Sequence, residues 1–251
     1  MINNKKVVVV LPAYNAAKTL EITLKAIPKG VVDEVILVDD ASKDNTVDVA
    51  KSLGLKVFVH PKNRGYGGNQ KTCYKEALKL GADIAVMVHP DFQYDPTFIP
   101  KLVEPIANGE YDAMIGSRMK VMKNALAGGM PYWKFVANIF LTGIENIVLG
   151  NRLSEYHSGF RAYSKKVMEM PLKYNSDDFV FDTEILVQLK VAGAKIGEVP
   201  ITTRYFPEAS MIGFIRSSKY GLEILLVLWK YLLYKFGLKD YEQFSRVKKF
   251  Y

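Results

Sequence analysis

Short apolar runs that alternate with helical segments are the feature of this sequence that most limits its fold. Such runs occupy residues 7–11, which are mostly β-branched, and residues 34–38, 56–59, 84–88 and 113–115 of the 251-residue chain. Strands and helices that alternate at this spacing form β-α-β units, whose right-handed crossovers place neighbouring strands parallel. The sequence therefore predicts an α/β fold with a Rossmann-like, mostly parallel sheet flanked by helices.

Polar side chains recur directly after each predicted strand. They are Tyr14 and Asn15 after the first strand, Asp39 and Asp40 after the second, Arg64 after the third, Asp91 and Gln93 after the fourth, and Arg118 after the fifth. The carboxyl ends of parallel strands share one edge of the sheet, where open α/β sheets bind their ligands. We therefore expect one site at this edge. Simpler interpretations exist for single residues: Asp39 and Asp40 as turn caps, and Arg64 as a solvated charge.

The stretch 87–96, after the fourth strand, carries the strongest indication of ligand chemistry. In an extended backbone, His89, Asp91 and Gln93 would point to one side, because side chains alternate along a strand. An imidazole, a carboxylate and an amide oxygen would then meet where a divalent cation and a phosphate bind. The simpler alternative is a polar loop before a helix, with Asp95 as its N-cap and a proline at its first position.

A glycine cluster precedes the third predicted helix. Gly65, Gly67 and Gly68 indicate backbone amides close to an anion. They form neither the G-x-G-x-x-G dinucleotide fingerprint nor a P-loop, so a P-loop NTPase is disfavoured. The three histidines lack zinc spacing, and no Ser-His-Asp or Cys-His arrangement is recognisable.

The net charge of +8 favours an anionic partner: nucleotide phosphates, an anionic membrane surface or nucleic acid. Nucleic acid ranks last, because the sequence shows no zinc ligands, RNP-type aromatics or basic helices. Cys73 is the only cysteine, so no internal disulfide can form. The first residues carry no apolar signal region. We therefore expect a cytoplasmic protein.

The second half of the chain is less regular and more apolar. A broadly apolar helix is predicted over residues 131–149, a strand or loop that returns to the sheet over 154–163, and a last strand over 195–203. Asp182 and Glu184 lie at the start of a further helix. This half therefore predicts additional elements around the same sheet.

A C-terminal helix is predicted over residues 217–236. Its apolar face contains Leu222, Leu225, Leu226, Trp229, Leu233 and Phe236. The uninterrupted apolar run is too short to span a bilayer. Together with a basic tail (Arg246, Lys248 and Lys249), the helix suits an interfacial position on an anionic membrane. Packing against the protein's own core and a homodimer interface are the alternatives.

Five ordered motifs resemble family 2 glycosyltransferases of the GT-A fold. They are Leu11-Pro12-Ala13-Tyr14-Asn15, Val38-Asp39-Asp40-Ala41-Ser42, Asp91-Phe92-Gln93-Tyr94-Asp95-Pro96, Gly116-Ser117-Arg118 and Ser158-Gly159-Phe160-Arg161. Within the family, the chain is similar to the dolichol-phosphate mannosyltransferase branch, which moves a sugar from a nucleotide donor to a polyprenyl phosphate. The resemblance implies a catalytic domain over residues 1–212, with a C-terminal amphipathic helix and basic tail over 213–251.

The resemblance implies a donor site and a metal site. The donor would contact Pro12, Tyr14, Asn15, Asp39, Asp40, Arg64, His89 and Asp91. Asp91, Gln93 and His89 would hold Mn²⁺ or Mg²⁺ against the donor diphosphate. The branch has the pattern D-A-D-L-Q, and His89 and Pro90 replace its first two residues here. Because a neutral imidazole suits Mg²⁺ poorly and removes a negative charge, we expect a weaker site that favours Mn²⁺.

The resemblance also places the acceptor phosphate at Ser117, Arg118 and Ser158, and puts Arg204 and Glu208 in a loop that closes over the donor. It implies an inverting displacement in which the metal and Arg204 stabilise the leaving diphosphate and Arg118 positions the acceptor. A phosphate acceptor is already ionised at neutral pH and needs no base. We therefore expect an enzyme that glycosylates a polyprenyl phosphate, peripherally bound on the cytoplasmic face of the membrane.

Two other functions stay open. A saccharide hydroxyl as acceptor would require a carboxylate base, for which Asp182 and Glu184 are the candidates unless they only cap their helix. The replacement of the first aspartate by His89 also fits a non-catalytic protein that binds a nucleotide or a membrane.

Overall fold

A seven-stranded mixed sheet organises the part of the chain that the computed structural model describes, residues 1–204 and 213–248. Its strands are β1 (Val7–Ala13), β2 (Glu34–Asp39), β3 (Lys56–Val59), β4 (Ile84–Met87), β5 (Ala113–Ser117), β6 (Arg161–Ser164) and β7 (Ile196–Pro200). Their order across the sheet is β3-β2-β1-β4-β6-β5-β7. Neighbouring strands are parallel except where β6 runs antiparallel to β4 and β5. The predicted mostly parallel sheet is confirmed.

The segment that was expected to return to the sheet does so only over its last residues. Residues 154–160 form a loop, and β6 then fills the gap between β4 and β5. Arg161, the first residue of β6, lies opposite Met87 and Ile115, near the carboxyl ends of β4 and β5. The preceding loop therefore lies at the edge where the polar turns meet.

Helices cover both faces of the sheet. They are α1 (Leu20–Ala26), α2 (Thr46–Ser52), α3 (Tyr66–Lys79), α4 (Ile99–Ala107), α5 (Met122–Ala127), α6 (Tyr132–Leu149), α7 (Lys165–Met168), α8 (Phe181–Ala192), α9 (Phe214–Lys235) and α10 (Glu242–Lys248). A 3₁₀ turn, Pro96–Phe98, precedes α4. Its N-cap Asp95 accepts a hydrogen bond from the Thr97 amide at 3.0 Å, which confirms the predicted cap.

The core lies in two layers, one on each face of the sheet. Every residue of β1 is buried. Val8 and Val10 face a cluster that includes residues of α3 and α8, whereas Val7 and Val9 face a cluster that includes residues of α1 and α4. A strand covered on both faces has no polar side to present, which explains the near-continuous apolar runs in the sequence.

The C-terminal helices share the core on the α3–α8 side. Ile224, Leu228 and Tyr231 of α9 are buried in that cluster. The opposite face of α9 is exposed, with Leu222 at 63% and Trp229 at 59%. Within the described ranges, no helix is both long and apolar enough to cross a lipid bilayer. One face of α9 thus packs on the core, and the other face is exposed to solvent. The predicted domain boundary at residue 212 stays a prediction.

Candidate functional site

The turns after β1 and β2 form one unit at the carboxyl edge of the sheet. Asn15 adopts a left-handed conformation with φ +54°. Its Oδ1 accepts a hydrogen bond from the Lys43 amide at 2.8 Å, and its own amide donates to Ser42 Oγ at 2.8 Å. Tyr14 is 49% exposed beside this unit, and Pro12 lies within β1. The structure thus brings the predicted donor residues of these two turns together.

Asp39 ends β2 with one unsatisfied carboxylate oxygen. Its Oδ2 accepts a hydrogen bond from the Ser42 amide at 2.9 Å. Its Oδ1 is buried and has no hydrogen-bond partner among the described residues. Leaving a buried acceptor unpaired costs roughly 1–3 kcal/mol. A ligand that donates an N–H or O–H would remove that cost, which fits the donor-binding role predicted for Asp39.

Asp40 instead holds the turn after β3. Its Oδ1 accepts a hydrogen bond from the Arg64 amide at 2.8 Å and lies 2.7 Å from His60 Nδ1, and its Oδ2 accepts from the Gly65 amide at 3.0 Å. These contacts are all internal, so Asp40 positions the turn. The Arg64 side chain is exposed and only its backbone takes part, so a contact between that side chain and the donor stays a prediction.

The turn after β4 differs from the extended segment that we expected. Phe92 has a left-handed φ of +57°, and the Gln93 amide donates to Asp91 Oδ1 at 3.1 Å. This bond to the amide two residues on closes a turn of the Asx type. The expectation that an extended backbone would align His89, Asp91 and Gln93 on one side is therefore wrong. In the described part of the chain, no three His, Cys, Asp or Glu side chains cluster as metal ligands.

Arg204 lies against this turn, as predicted for the segment after the last strand. Its amide donates to the Gln93 carbonyl at 2.9 Å. Its guanidinium lies 4.8 Å from the centroid of the Phe92 ring and 3.6 Å from Asp95 Oδ2. The side chain is thus close to the predicted diphosphate position, and its role there stays a prediction. Glu208, which was assigned to the same loop, lies outside the described residues.

The His89 imidazole is joined to α3 and α8. Its Nε2 lies 3.3 Å from Tyr66 Oη, which donates to Asp182 Oδ2 at 2.8 Å. Gln70 donates to the other oxygen of Asp182 at 3.0 Å, and Arg161 faces Asp182 at 3.5 Å. Tyr66 therefore connects Asp182 to His89, and a role of Asp182 in the site stays a prediction. Tyr66 and Asp182 are 116 residues apart in the chain, and no pattern in the sequence connects them.

The glycine cluster does not present free amides to an anion. The amides of Gly67 and Gly68 donate to the Asp177 carbonyl at 2.8 and 3.2 Å. A Cβ atom on Gly67 would lie 2.5 Å from the Ser176 carbonyl oxygen. These positions are glycine because residues 176–178 cross the start of α3 at backbone contact distance. The predicted role of this cluster in anion binding is wrong.

Arg118, predicted to hold the acceptor phosphate, is already paired with Glu155. Its Nε donates to Glu155 Oε1 at 2.8 Å, and its amide donates to Oε2 at 2.7 Å. Burial opposes the charged form of Glu155, but the charge and hydrogen bonds of Arg118 outweigh burial and lower the pKa of this carboxyl. Ser117 and Ser158 are also fully buried and bonded to neighbouring residues. Contact of these three residues with an acceptor stays a prediction.

Lys134 is a cation that we did not predict from the sequence. It lies in the first turn of α6, where burial and the nearby charge of Arg118 lower its pKa. It forms no ion pair with a carboxylate in the part of the chain that the structure describes. Exposed apolar side chains of the same helix are Tyr132, Trp133, Val136, Ile139, Phe140 and Ile147. A lysine in the first turn of an apolar helix, where the dipole disfavours a cation, was the available signal.

Glu184, a candidate base, is bound to another part of the structure. It accepts a hydrogen bond from the Ser176 amide and is bonded to Gln243 of α10. Burial raises its pKa. Asp182 and Glu184 are thus both engaged by internal hydrogen bonds.

Comparison with known proteins gives this geometry a family context. A sequence model described as "Glycosyl transferase family 2" matches residues 8–170. The UDP-N-acetylglucosamine–dolichyl-phosphate N-acetylglucosaminyltransferase of Methanococcus voltae is 33% identical over 220 residues, which cover 80% of this chain and 87% of that protein. The dolichol-phosphate mannosyltransferase of Pyrococcus furiosus is 32% identical over 209 residues, which cover 78% of this chain and 56% of that protein.

A solved structure supports the fold. Glucosyl-3-phosphoglycerate synthase from Mycobacterium tuberculosis, in complex with Mn²⁺, UDP and glucosyl-3-phosphoglycerate, has a TM-score of 0.67 at 20% identity. The match covers 94% of this chain and 82% of that one. At this identity the likeness establishes the fold, and the GT-A fold that the motifs predicted is confirmed.

Proposed function

The chain belongs to glycosyl transferase family 2 and is a glycosyltransferase, and we propose that it moves a sugar from a nucleotide-sugar donor to a polyprenyl phosphate at a membrane surface. The names of the two relatives described above contain dolichyl-phosphate and dolichol-phosphate, respectively. The observation that carries the choice of acceptor is Lys134, a partly buried cation that has no carboxylate partner among the described residues and begins a helix whose exposed side chains are apolar.

The donor, of the GDP-mannose or UDP-glucose type, lies along the turns after β1, β2 and β4 in this proposal. The unsatisfied Oδ1 of Asp39 accepts a hydrogen bond from the nucleobase or the ribose. Tyr14 is exposed beside the same turn and covers the nucleoside. The diphosphate extends from there to the Asp91 turn, where Arg204 adds a positive charge.

A divalent cation, Mn²⁺ or Mg²⁺, fits the Asp91 turn if the donor diphosphate supplies most of its ligands. Asp91 uses Oδ1 to close the turn and has no internal hydrogen bond to Oδ2 within the described residues. Cations that bind substrate phosphates typically use only one or two carboxylates of the protein. The lack of a three-residue cluster is therefore compatible with this site. When bound, the cation would neutralise charge that develops on the leaving diphosphate.

The acceptor phosphate lies beside Lys134 in this proposal, with Arg118 next to it. A phosphate monoester carries a charge of about −1.5 to −2 at neutral pH, so the attacking oxygen is already deprotonated. The protein then has to position the phosphate rather than remove a proton from it. The prenyl chain follows the exposed apolar side chains of α6.

A cytoplasmic membrane surface covers the exposed faces of α6 and α9 in this proposal. The two helices are neighbours, since a Cβ atom on Gly221 of α9 would lie 3.7 Å from Leu141 of α6. Their exposed side chains include Ile147 at 84% and Leu222 at 63%. Adjoining apolar surfaces of this kind mark membrane or protein contacts, and the positive net charge favours an anionic membrane. A homodimer would bury the same face and is the alternative partner.

A transfer assay in mild detergent tests the proposal. GDP-mannose, UDP-glucose and UDP-N-acetylglucosamine, each labelled in the sugar, are mixed with a polyprenyl phosphate and Mn²⁺, Mg²⁺ or a chelator. We expect a labelled lipid from one donor and no product with the chelator. Donor hydrolysis without a lipid product would favour a saccharide hydroxyl as acceptor. Nucleotide binding without transfer or hydrolysis would favour the non-catalytic alternative.

An aspartate pair provides the matched control for the metal site. Asp91→Ala should lose metal-dependent binding of the donor, because it removes the carboxylate at the diphosphate position. Asp48→Ala should retain it, since Asp48 is an exposed carboxylate of α2. Metal-dependent binding that survives in Asp91→Ala would contradict the proposed site.

A further inference from the structure

The hydrogen bonds around His89 have only one consistent direction. Asp182, which faces the guanidinium of Arg161 at 3.5 Å, acts as a carboxylate that only accepts hydrogen bonds. The single hydroxyl proton of Tyr66 goes to Asp182 Oδ2 at 2.8 Å. Nε2 of His89, 3.3 Å from the Tyr66 oxygen, is therefore the donor in their contact.

This direction fixes the tautomer of a neutral His89. A neutral imidazole carries its proton on one nitrogen and an unshared electron pair on the other. With the proton on Nε2, the unshared pair is on Nδ1. Among the residues that the structure describes, Nδ1 has no hydrogen-bond partner that would use this pair.

Gly159 determines the direction in which Nδ1 points. A Cβ atom on Gly159 would lie 2.5 Å from Nε2 and 2.9 Å from Cδ2 of His89, so this edge of the ring packs on the Gly159 backbone. Nδ1 lies across an imidazole ring from the Nε2–Cδ2 edge. It therefore points away from Gly159, at the carboxyl end of β4 and two residues before Asp91.

We propose that Tyr66 and Asp182 are positioning residues that present the Nδ1 electron pair of His89 as a nitrogen ligand for the divalent cation. The inference rests on the proposed function, because it takes the cation of the donor site as the ligand. Histidines that bind metals typically donate their other ring N–H to a carboxylate or another acceptor, which fixes the tautomer and the ring orientation. Here Tyr66 is that acceptor, and Asp182 fixes the direction of its hydroxyl.

A nitrogen ligand discriminates between the two candidate cations. Mg²⁺ prefers oxygen ligands in near-ideal octahedral geometry, whereas a transition metal such as Mn²⁺ accepts an imidazole more readily. Loss of a partner that orients a metal-binding histidine typically weakens metal binding about 10- to 100-fold. We therefore expect Tyr66→Phe to weaken Mn²⁺ binding about tenfold, and His89→Asp to shift the preference towards Mg²⁺.

The tautomer can be measured without any metal or substrate. ¹⁵N NMR of the metal-free full chain near pH 8, where an imidazole is neutral, distinguishes a proton on Nε2 from one on Nδ1. His89→Asp identifies the His89 signals among those of the three histidines. We expect the Nε2 proton in the wild type and a mixture of tautomers in Tyr66→Phe. A proton on Nδ1 in the wild type would overturn the inference even if the transfer assay succeeds, so the two failures are distinguishable.

Binding of Mn²⁺ alone supplies the second measurement. Electron paramagnetic resonance gives the Mn²⁺ affinity, and paramagnetic broadening of the His89 signals shows whether the ion binds there. Tyr156→Phe is the control, because it also removes a tyrosine hydroxyl from the interior, one that donates to Asn146 at 3.0 Å, outside this network. We expect weaker binding only in Tyr66→Phe. His89 signals that Mn²⁺ leaves sharp, or equal affinities in wild type and Tyr66→Phe, would overturn the inference.

Discussion

Replacement of Lys134 by alanine should weaken use of the lipid phosphate and leave the donor site intact. Lys134 lies beside Arg118, whose guanidinium is bonded to the fully buried Glu155. Because Arg118 and Glu155 are neutral as a pair, Lys134 carries the net positive charge of this cluster. Without it, the acceptor phosphate would face a neutral pair.

The expected size of the effect follows from the environment of Lys134. A hydrogen bond to a charged group contributes about 1.5–3 kcal/mol, which is about 10- to 150-fold in kcat/KM at 1.4 kcal/mol for each factor of ten. Solvent screens partly exposed charges, so the low end of this range applies. We expect a loss of about tenfold in kcat/KM for polyprenyl phosphate, mainly through KM, with donor hydrolysis unchanged.

Initial rates over a range of polyprenyl phosphate concentrations, at saturating donor in mild detergent, measure this effect. Lys56→Ala is the control, since Lys56 lies on β3 and pairs with Glu34 at 2.9 Å. Burial and the charge of Arg118 lower the pKa of Lys134. As the pH is raised, kcat/KM of the wild type for polyprenyl phosphate should therefore decline below the ordinary lysine pKa of about 10.4. Lys134→Arg should remove that decline. An unchanged KM in Lys134→Ala, or an equal loss in Lys56→Ala, would refute the reasoning.

Three further substitutions and one control, Gly143→Ala, test the surroundings of the site. Glu155→Gln should lower the free energy of unfolding at pH 7 by about 3 kcal/mol, the low end for breaking a buried ion pair, because Arg118 is partly exposed. Because folding lowers the pKa of Glu155, the stabilisation is fully present above the unfolded-state pKa of about 4.3 and is lost as the pH falls through the folded-state pKa. Urea unfolding of the wild type and of Glu155→Gln at several pH values measures this loss. Glu184→Gln should leave transfer unchanged and stabilise the protein at pH 7. Burial raises the pKa of Glu184, so ionisation of this carboxyl in the folded protein costs free energy above the unfolded-state pKa of about 4.3. Loss of transfer in this variant would instead favour a hydroxyl acceptor. Gly67→Ala should destabilise the fold by about 1–3 kcal/mol despite the better helix propensity of alanine, because its Cβ would lie 2.5 Å from a carbonyl oxygen. Gly143→Ala, with nothing within 4 Å, should stabilise α6 by up to about 1 kcal/mol, and equal effects on thermal unfolding would contradict the close packing at the start of α3.

The strands and the polar edge of the sheet could be predicted because they depend on local patterns. β1 and β4 are buried at every position, and burial on both faces produces apolar runs that are visible in the sequence. The carboxyl ends of such strands then locate Asp39 and Asp91 without knowledge of any tertiary contact. The fold, which is confirmed, and the position of the candidate site, which stays a prediction, followed from these two facts.

The details of the site depend on contacts that a linear pattern does not contain. The left-handed conformation of Phe92 turns the chain where an extended segment was expected, and non-glycine residues give little warning of such a conformation. The pairing of Arg118 with Glu155 joins residues 37 positions apart. Arg118 therefore looked like a free cation in the sequence, although the fold neutralises it.

Arg118 and Lys134 have different environments and therefore different roles. Arg118 stabilises the fold through its ion pair with Glu155, whereas Lys134 is available to bind a phosphate. Glu155 is fully buried and Arg118 is only 12% exposed, so their ion pair neutralises both charges in the folded protein before any acceptor arrives. Lys134 has no such partner in the described residues, and both the dipole of α6 and the charge of Arg118 disfavour its own charge. Among these three described side chains, the charge of Lys134 is thus in excess, and it lies beside an apolar surface. A phosphate on a lipid relieves that repulsion and covers the apolar surface at the same time, whereas a neutral saccharide would do neither.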